Sequence, residues 1–314
     1  MLILTQMNRS DRTAMQTYLR PVALFSLFFL AAHESVCLSA PSAEVQTQPP
    51  GSETAPADER PTGPFDHSIW DQFLKTYVND AGEVDYAGVK AHPELLQKYL
   101  EVVGSIRFNF FQTWLREEIL ALFMNLYHAV IILAVSQHYP VGSINDIPGI
   151  WDIEMVYAGQ APYSLNKIRD EMLIKTYRDE KIHLALSCGA KSCPRLQREA
   201  FTGPRVEGQL FLATREFVNN PDQVSIVPEK KQVQLSRIFL WHGKDFQLDF
   251  GALENDRNLP AQDFAVLSFL YYYLEDTAKI TFLDDGKFKI KYLPFDWNLN
   301  DWKRTPAGDT PEKP

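Results

Sequence analysis

The sequence predicts an α+β fold: a single domain with a long buried central helix, flanking helices and a mostly antiparallel sheet of short strands and hairpins. Three observations carry this. Helical periodicity dominates the first half of the folded region, and short alternating segments bounded by turn residues gather in the second. The longest apolar run, Ile119 to Val135, is interrupted only by Asn125 and His128 and has Arg116, Glu117 and Glu118 beside it, so it reads as a core helix rather than a membrane span.

The elements follow in chain order. Pro21 to Ala32 is apolar, preceded by Arg20 and followed by small residues. As a helix it would cover only about 18 Å, which is the shape of a secretory signal peptide and too short to span a bilayer. A signal-peptide region is therefore expected over 1–40, with Met15 as an alternative start, and the protein is expected to be exported to a periplasmic or extracellular space. Residues 41–64 are rich in proline and lack aromatics, which predicts a disordered linker; residues 304–314 read as a similar tail. The folded domain is then 65–303.

Within it, Ile69, Trp70, Phe73, Leu74 and Tyr77 mark a helix over Asp66–Val78, and a second follows the Val84–Tyr86 segment. The central run extends from Phe110 to His138. Short strands are expected at Met155–Ala158 and Ala161–Ser164 around Gly159, then a helix from Leu165 to Tyr177 capped by Ser164. Lys181 to Cys188 alternates and reads as a strand covered on both faces. A helix over Val206–Asn219 precedes a hairpin of Gln223–Val227 with Gln232–Leu235. Pro260 opens another helix, to Asp276. Asp284-Asp285-Gly286 reads as the turn of a hairpin between Lys279–Leu283 and Lys287–Leu293.

Forty acidic against 31 basic side chains, a net charge of −9, argue against a nucleic-acid binder. No transmembrane span is expected in the mature protein. The sequence carries no P-loop, G-x-S-x-G or H-E-x-x-H motif. No cofactor and no metal are assigned, and it names no partner.

The segment with chemical potential is Ile182 to Leu196, which contains His183, Cys188 and Cys193. A strand ending at Cys188, a Gly-containing turn and Cys193-Pro194 at a helix start would set a thiol against a positive dipole end. An unperturbed thiol is only about 3% ionised at pH 7, so such a setting matters for nucleophilic chemistry. Four readings stand at this point. Cys193 or Cys188 is a nucleophile with His183 or His242 as base; the two cysteines form a disulfide that locks a local turn; His183, Cys188 and Cys193 bind a metal, although a fourth ligand is not evident; or the thiols are plain core residues. Asn125 and His128 share one face of the central helix. They are expected to support a pocket where that helix meets the 183–193 segment, with His242 and Asp245 nearby.

Several of these motifs together resemble a family of unknown function, DUF547. They are Leu122-Phe-Met-Asn-Leu-Tyr-His-Ala129, Tyr163-Ser-Leu165, Ile182 to Pro194, Leu235-Ser-Arg-Ile-Phe239 with Trp241 and Asp245-Phe246, and Phe295-Asp-Trp-Asn-Leu-Asn300. His128 stands where that family usually has Asn, and Arg169-Asp170 where Glu and His are common. The resemblance implies no settled activity and, if those positions form a polar site in relatives, a site that is altered or inactive in this chain. Two functions compete: a thiol-dependent hydrolase or transferase acting on an amide or ester in the cell envelope, and a non-catalytic binding or scaffolding module with a Cys188–Cys193 loop disulfide.

Overall fold

A 23-residue helix, Arg116–His138, runs through the core and buries 17 of its side chains, from Glu118 to Ser136. A helix apolar on every face is stable only when packed on every face, so the run that meets the length of a membrane span is here the axis of the domain. The computed structural model describes residues 64–251 and 259–303, all inside one compact unit, Thr62–Pro314. The predicted leader (1–40), linker (41–64, apart from Pro64) and tail (304–314) lie outside the described residues.

The helices in order are α1 (Ser68–Tyr77), α2 (Tyr86–Ala91), α3 (Glu94–Gly104), α4 (Phe108–Phe111), the central α5 (Arg116–His138), α6 (Val206–Asn219), α7 (Arg237–His242), α8 (Gln247–Phe250), α9 (Ala261–Tyr273) and α10 (Thr277–Asp285). α1 buries Trp70, Phe73, Leu74 and Tyr77, and α3 buries Leu96, Tyr99 and Val103, each along one helical face. These pack with α5 into the larger apolar core. A smaller core joins α6, α7 and α9 to a three-stranded sheet.

That sheet is β3 (Val224–Val227), β4 (Gln232–Leu235) and β5 (Lys289–Tyr292); a separate hairpin pairs β1 (Val156–Ala158) with β2 (Ala161–Tyr163). β3 and β4 form the predicted antiparallel hairpin, with Val224 opposite Leu235. β5 instead adds parallel to β4, with Gln232 opposite Lys289. The second predicted hairpin is therefore corrected. Its first half, Lys279–Leu283, lies in α10, because the Asp276 side chain accepts hydrogen bonds from the Ala278 and Lys279 N–H groups and caps a helix. Gly286, at φ +68°, ends that helix in the left-handed region. Asp-Asp-Gly is a helix terminus here, not a hairpin turn.

Two further expectations fail around the candidate segment. Lys181–Cys188 is not a strand: Glu180–Leu184 forms a 3₁₀ turn capped by Asp179, whose side chain accepts from the Lys181 N–H. Residues 182 to 187 are all buried, so their alternation marked no solvent face and carried no strand information. Nor does a helix begin at Pro194. Residues 194–202 run without regular structure, fixed by side chains such as Arg195, which bonds the Asp80 carbonyl at 2.9 Å and Glu216 Oε2 at 2.7 Å. The predicted Leu165–Tyr177 helix is present, with Ser164 Oγ accepting from the Lys167 N–H, but over Lys167–Lys175 it winds as a π-helix.

The last described stretch straps the candidate loop to the core. Lys191 N–H donates to the Asn298 carbonyl (2.9 Å), Ser192 N–H to the Asp296 carbonyl (3.2 Å) and Asn300 N–H to the Gly189 carbonyl (3.1 Å). Asn300 is buried: Tyr86 donates its hydroxyl to Asn300 Oδ1 (2.8 Å), and Asn300 Nδ2 donates to the Gly82 carbonyl (3.1 Å). Asn300→Ala removes both bonds and leaves the fully buried Tyr86 hydroxyl unpaired. The expected loss is about 1–3 kcal/mol, read as a lower urea midpoint with an unchanged slope.

Candidate functional site

Cys188 and Cys193 form a disulfide, with Cα atoms 5.6 Å apart. Gly189 takes φ +81° within the closed loop, and a Cβ there would stand 3.0 Å from Ile131 of α5, so both backbone and space call for glycine. Cys193 Sγ accepts the Ala190 N–H at 3.3 Å and is nearly sealed from solvent. Cys188 faces outward and forms part of the wall of a cavity of about 350 Å³.

The rest of that cavity comes from widely separated places in the chain. α5 contributes Tyr127. The start of the π-helix contributes Asn166 and Arg169, which join Trp151 and Asp152. The 3₁₀ turn contributes His183. α7 contributes Ile238, Trp241 and His242, and the strap contributes Phe295 and Trp297. The aromatics cluster: Trp241 lies 4.9 Å from Phe295 and 6.0 Å from Trp297, centroid to centroid, the two indoles 26° from parallel. Trp241 remains 45% exposed although its ring is large and apolar.

The polar side is a chain of hydrogen bonds. Arg169 grips both oxygens of Asp170 (2.6 and 2.9 Å) and donates to Asn166 Oδ1 (2.8 Å), while Asn166 Nδ2 donates to Asp152 Oδ1 (2.8 Å). Arg169 and Asp170, two of the three positions noted as differing from the DUF547 motifs, are thus paired with each other. At the inner end His183 Nε2 and Asp245 Oδ2 are 2.8 Å apart, and the His242 ring stacks on His183 at 4.0 Å and 15°. Burial, then the neighbouring His183, pushes His242 down to about 3. The hydrogen bond from His183 holds the Asp245 carboxyl below its ordinary value. A smaller cavity, about 170 Å³, borders the same pair from the other side and is lined by Lys175, Arg178, Asp179 and Leu248 among others.

The structure therefore brings His183, His242, Asp245 and Cys188 together and places Cys193 behind the wall. It does not bring Asn125 and His128 to the cavity. Asn125 clamps the Phe201 backbone, accepting from its N–H (2.9 Å) and donating to its carbonyl (2.8 Å). His128 Nε2 accepts the Ser187 N–H at 3.0 Å. Both reach toward the loops around the site but spend their polar groups on backbone, and the neighbouring face of the helix, through Tyr127, lines the cavity instead. The expected thiol at a helix N-terminus is corrected on two counts: no helix starts there, and the sulfur atoms are bonded to each other.

Tyr127, Trp151, Asn166, Arg169, Trp241, Phe295 and Trp297 were not expected in the site. The available signal was the pairing of aromatics with acids near 241–246 and 295–297, which reads equally well as loop anchoring. Only the fold shows that the two stretches meet.

No curated protein and no solved structure matches the chain. A family model does match: residues 111–218, a stretch that includes the central helix, His183 and both bridged cysteines, are similar to the family described as Protein of unknown function, DUF547; the motifs at 122–129, 163–165 and 182–194 lie inside the matched stretch, and those at 235–246 and 295–300 lie outside it.

Proposed function

We propose that this chain is an exported binding module whose pocket takes a small neutral cyclic ligand with an apolar face and a rim of hydroxyl groups, as a sugar ring has. The observation that carries this is the composition of the cavity. Its roughly 350 Å³ is within the range of small-molecule sites, with flat aromatic walls and a few fixed polar groups. Trp241, Phe295 and Trp297 supply the flat face, while Asp152, Asn166, Arg169 and His242 supply donors and acceptors along one side. Arg169 is already neutralised by Asp170, so a neutral ligand suits the site better than an anion. The bridge supports an oxidising compartment and agrees with the expected leader.

A thiol-dependent hydrolase or transferase requires the bridge to be open, because the thiolate is the nucleophile. One observation favours catalysis as a second reading: an imidazole fixed on a carboxylate is the arrangement that orients a general base. There His183 would act on water or on a reduced Cys188.

Titration of intrinsic tryptophan fluorescence tests the binding proposal, since three of the chain's six tryptophans line the cavity. Neutral oligosaccharides are expected to give a saturable change, and Trp241→Ala to weaken it at least tenfold, about 1.4 kcal/mol. A response confined to aromatic carboxylates, no saturable response, or equal affinity in Trp241→Ala would overturn it.

A further inference from the structure

We infer that His183, His242 and Asp245 form a binding site for a divalent first-row transition-metal ion of the zinc type. Each of the three offers one ligand atom, and these atoms all lie within 4.8 Å of one another. Two imidazoles and one carboxylate are a donor set that suits such ions and leaves positions for water or a ligand. The metal set expected from spacing was His183, Cys188 and Cys193, and the disulfide removes two of those ligands.

Geometry supports the new set. At metal–ligand distances near 2.0–2.1 Å, tetrahedral donor atoms stand about 3.4 Å apart. The His183–Asp245 contact, 2.8 Å, needs slight widening, and the remaining separations, none above 4.8 Å, need to close by at most about 1.4 Å. The parallel stack of the two rings must splay for both lone pairs to converge. The site is built for such a shift on one side only. The His183 side chain is 3% exposed and held by the 3₁₀ turn, whereas Asp245 is 40% exposed in the short connection between α7 and α8. His242 is the last residue of α7, and Asp245 follows three positions on, within that connection. The ion would take the place of the proton between His183 Nε2 and Asp245 Oδ2, and its open positions would face the larger cavity, which both histidines line. Arg169, which lines the larger cavity with both histidines, is gripped through two of its nitrogens by Asp170, while Lys175 and Arg178 line the smaller cavity beside His183 and Asp245.

The inference stands apart from the choice of organic ligand, and its test needs no activity. Chelator-dialysed full chain is titrated calorimetrically with Zn²⁺ and, in parallel, with Co²⁺ followed by visible absorption. One ion per chain is expected, with Co²⁺ giving the intense bands of a low-coordinate site. His242→Gln and Asp245→Asn should each weaken binding at least tenfold, while the exposed His92→Gln leaves it unchanged. Absence of stoichiometric binding, or equal affinity in wild type and in Asp245→Asn, overturns the inference. Should His242→Gln fail to fold, the Co²⁺ spectrum of the wild-type chain decides: bands of a six-oxygen hydrated ion overturn it.

Discussion

Replacing Asn125 with leucine is expected to destabilise the domain by about 2–6 kcal/mol, although leucine is the better helix former and nearly the same size. The side chain is fully buried at the middle of α5. Its carboxamide accepts from the Phe201 N–H and donates to the Phe201 carbonyl, and Nδ2 lies 3.1 Å from His67 Nδ1. Leucine leaves both backbone groups of Phe201 unpaired inside the protein, and each such group costs about 1–3 kcal/mol. The clamp also holds the irregular 194–202 segment, which has no hydrogen-bonded element of its own. Urea unfolding measures the effect. A loss below about 1 kcal/mol would mean that Phe201 finds other partners. Asn125→Asp should be worse still, since one carboxylate oxygen would face the Phe201 carbonyl and a buried charge would lack a counter-ion.

The same network makes the domain acid-labile. His67 and His128 are buried, and burial pushes them down to about 4 and about 3 respectively. The hydrogen bonds explain why no proton can be added cheaply. His67 Nδ1 faces the Asn125 NH₂ and the Tyr99 hydroxyl, and His128 Nε2 accepts a backbone N–H. A proton on either nitrogen would point donor at donor. In the unfolded chain both groups protonate near 6.5. Below that value the unfolded state binds more protons than the folded one, so stability is full above about pH 6.5 and falls as pH drops toward 4. Each group contributes up to about 1.4 kcal/mol per pH unit over that window. The predicted result is a urea midpoint that declines steeply from pH 6.5 to 4.5, with a shallower decline in His128→Gln if that variant keeps the Ser187 contact. A flat profile over this range would contradict the assignment of both rings as neutral acceptors.

The parts of the fold legible in the sequence were those with one wet face or an unambiguous cap. α1, α6, the β3–β4 hairpin and the Ser164-capped helix could be read because periodicity, Pro and Ser report local geometry. Central burial of α5 was legible because polar residues interrupt a run too apolar for a surface helix. The 3₁₀ turn at 180–184 was not, since every face of 182–187 is covered and its alternation has no meaning. α10 was misread because Asp-Asp-Gly serves a hairpin and a helix C-terminus equally, and only Asp276 distinguishes them. For the site, His183, His242, Asp245 and Cys188 were nominated by chemical type, and the fold assembles them. Asn125 and His128 were nominated by the same logic but are used by the backbone. The aromatic wall and Arg169 could not be found by spacing, because β5 reaches β4 by a parallel crossover through α7–α10, and that path brings the 295–300 strap beside the bridged loop.

The Cys188–Cys193 disulfide holds the pocket wall closed. Peptide mass mapping of the native protein after iodoacetamide treatment, with and without prior reduction, tests this directly. The bridge predicts no label at Cys188 or Cys193 in the native protein and a label at each of them after reduction and unfolding. Rapid labelling of Cys188 in unreduced native protein would contradict it and return the site to thiol chemistry.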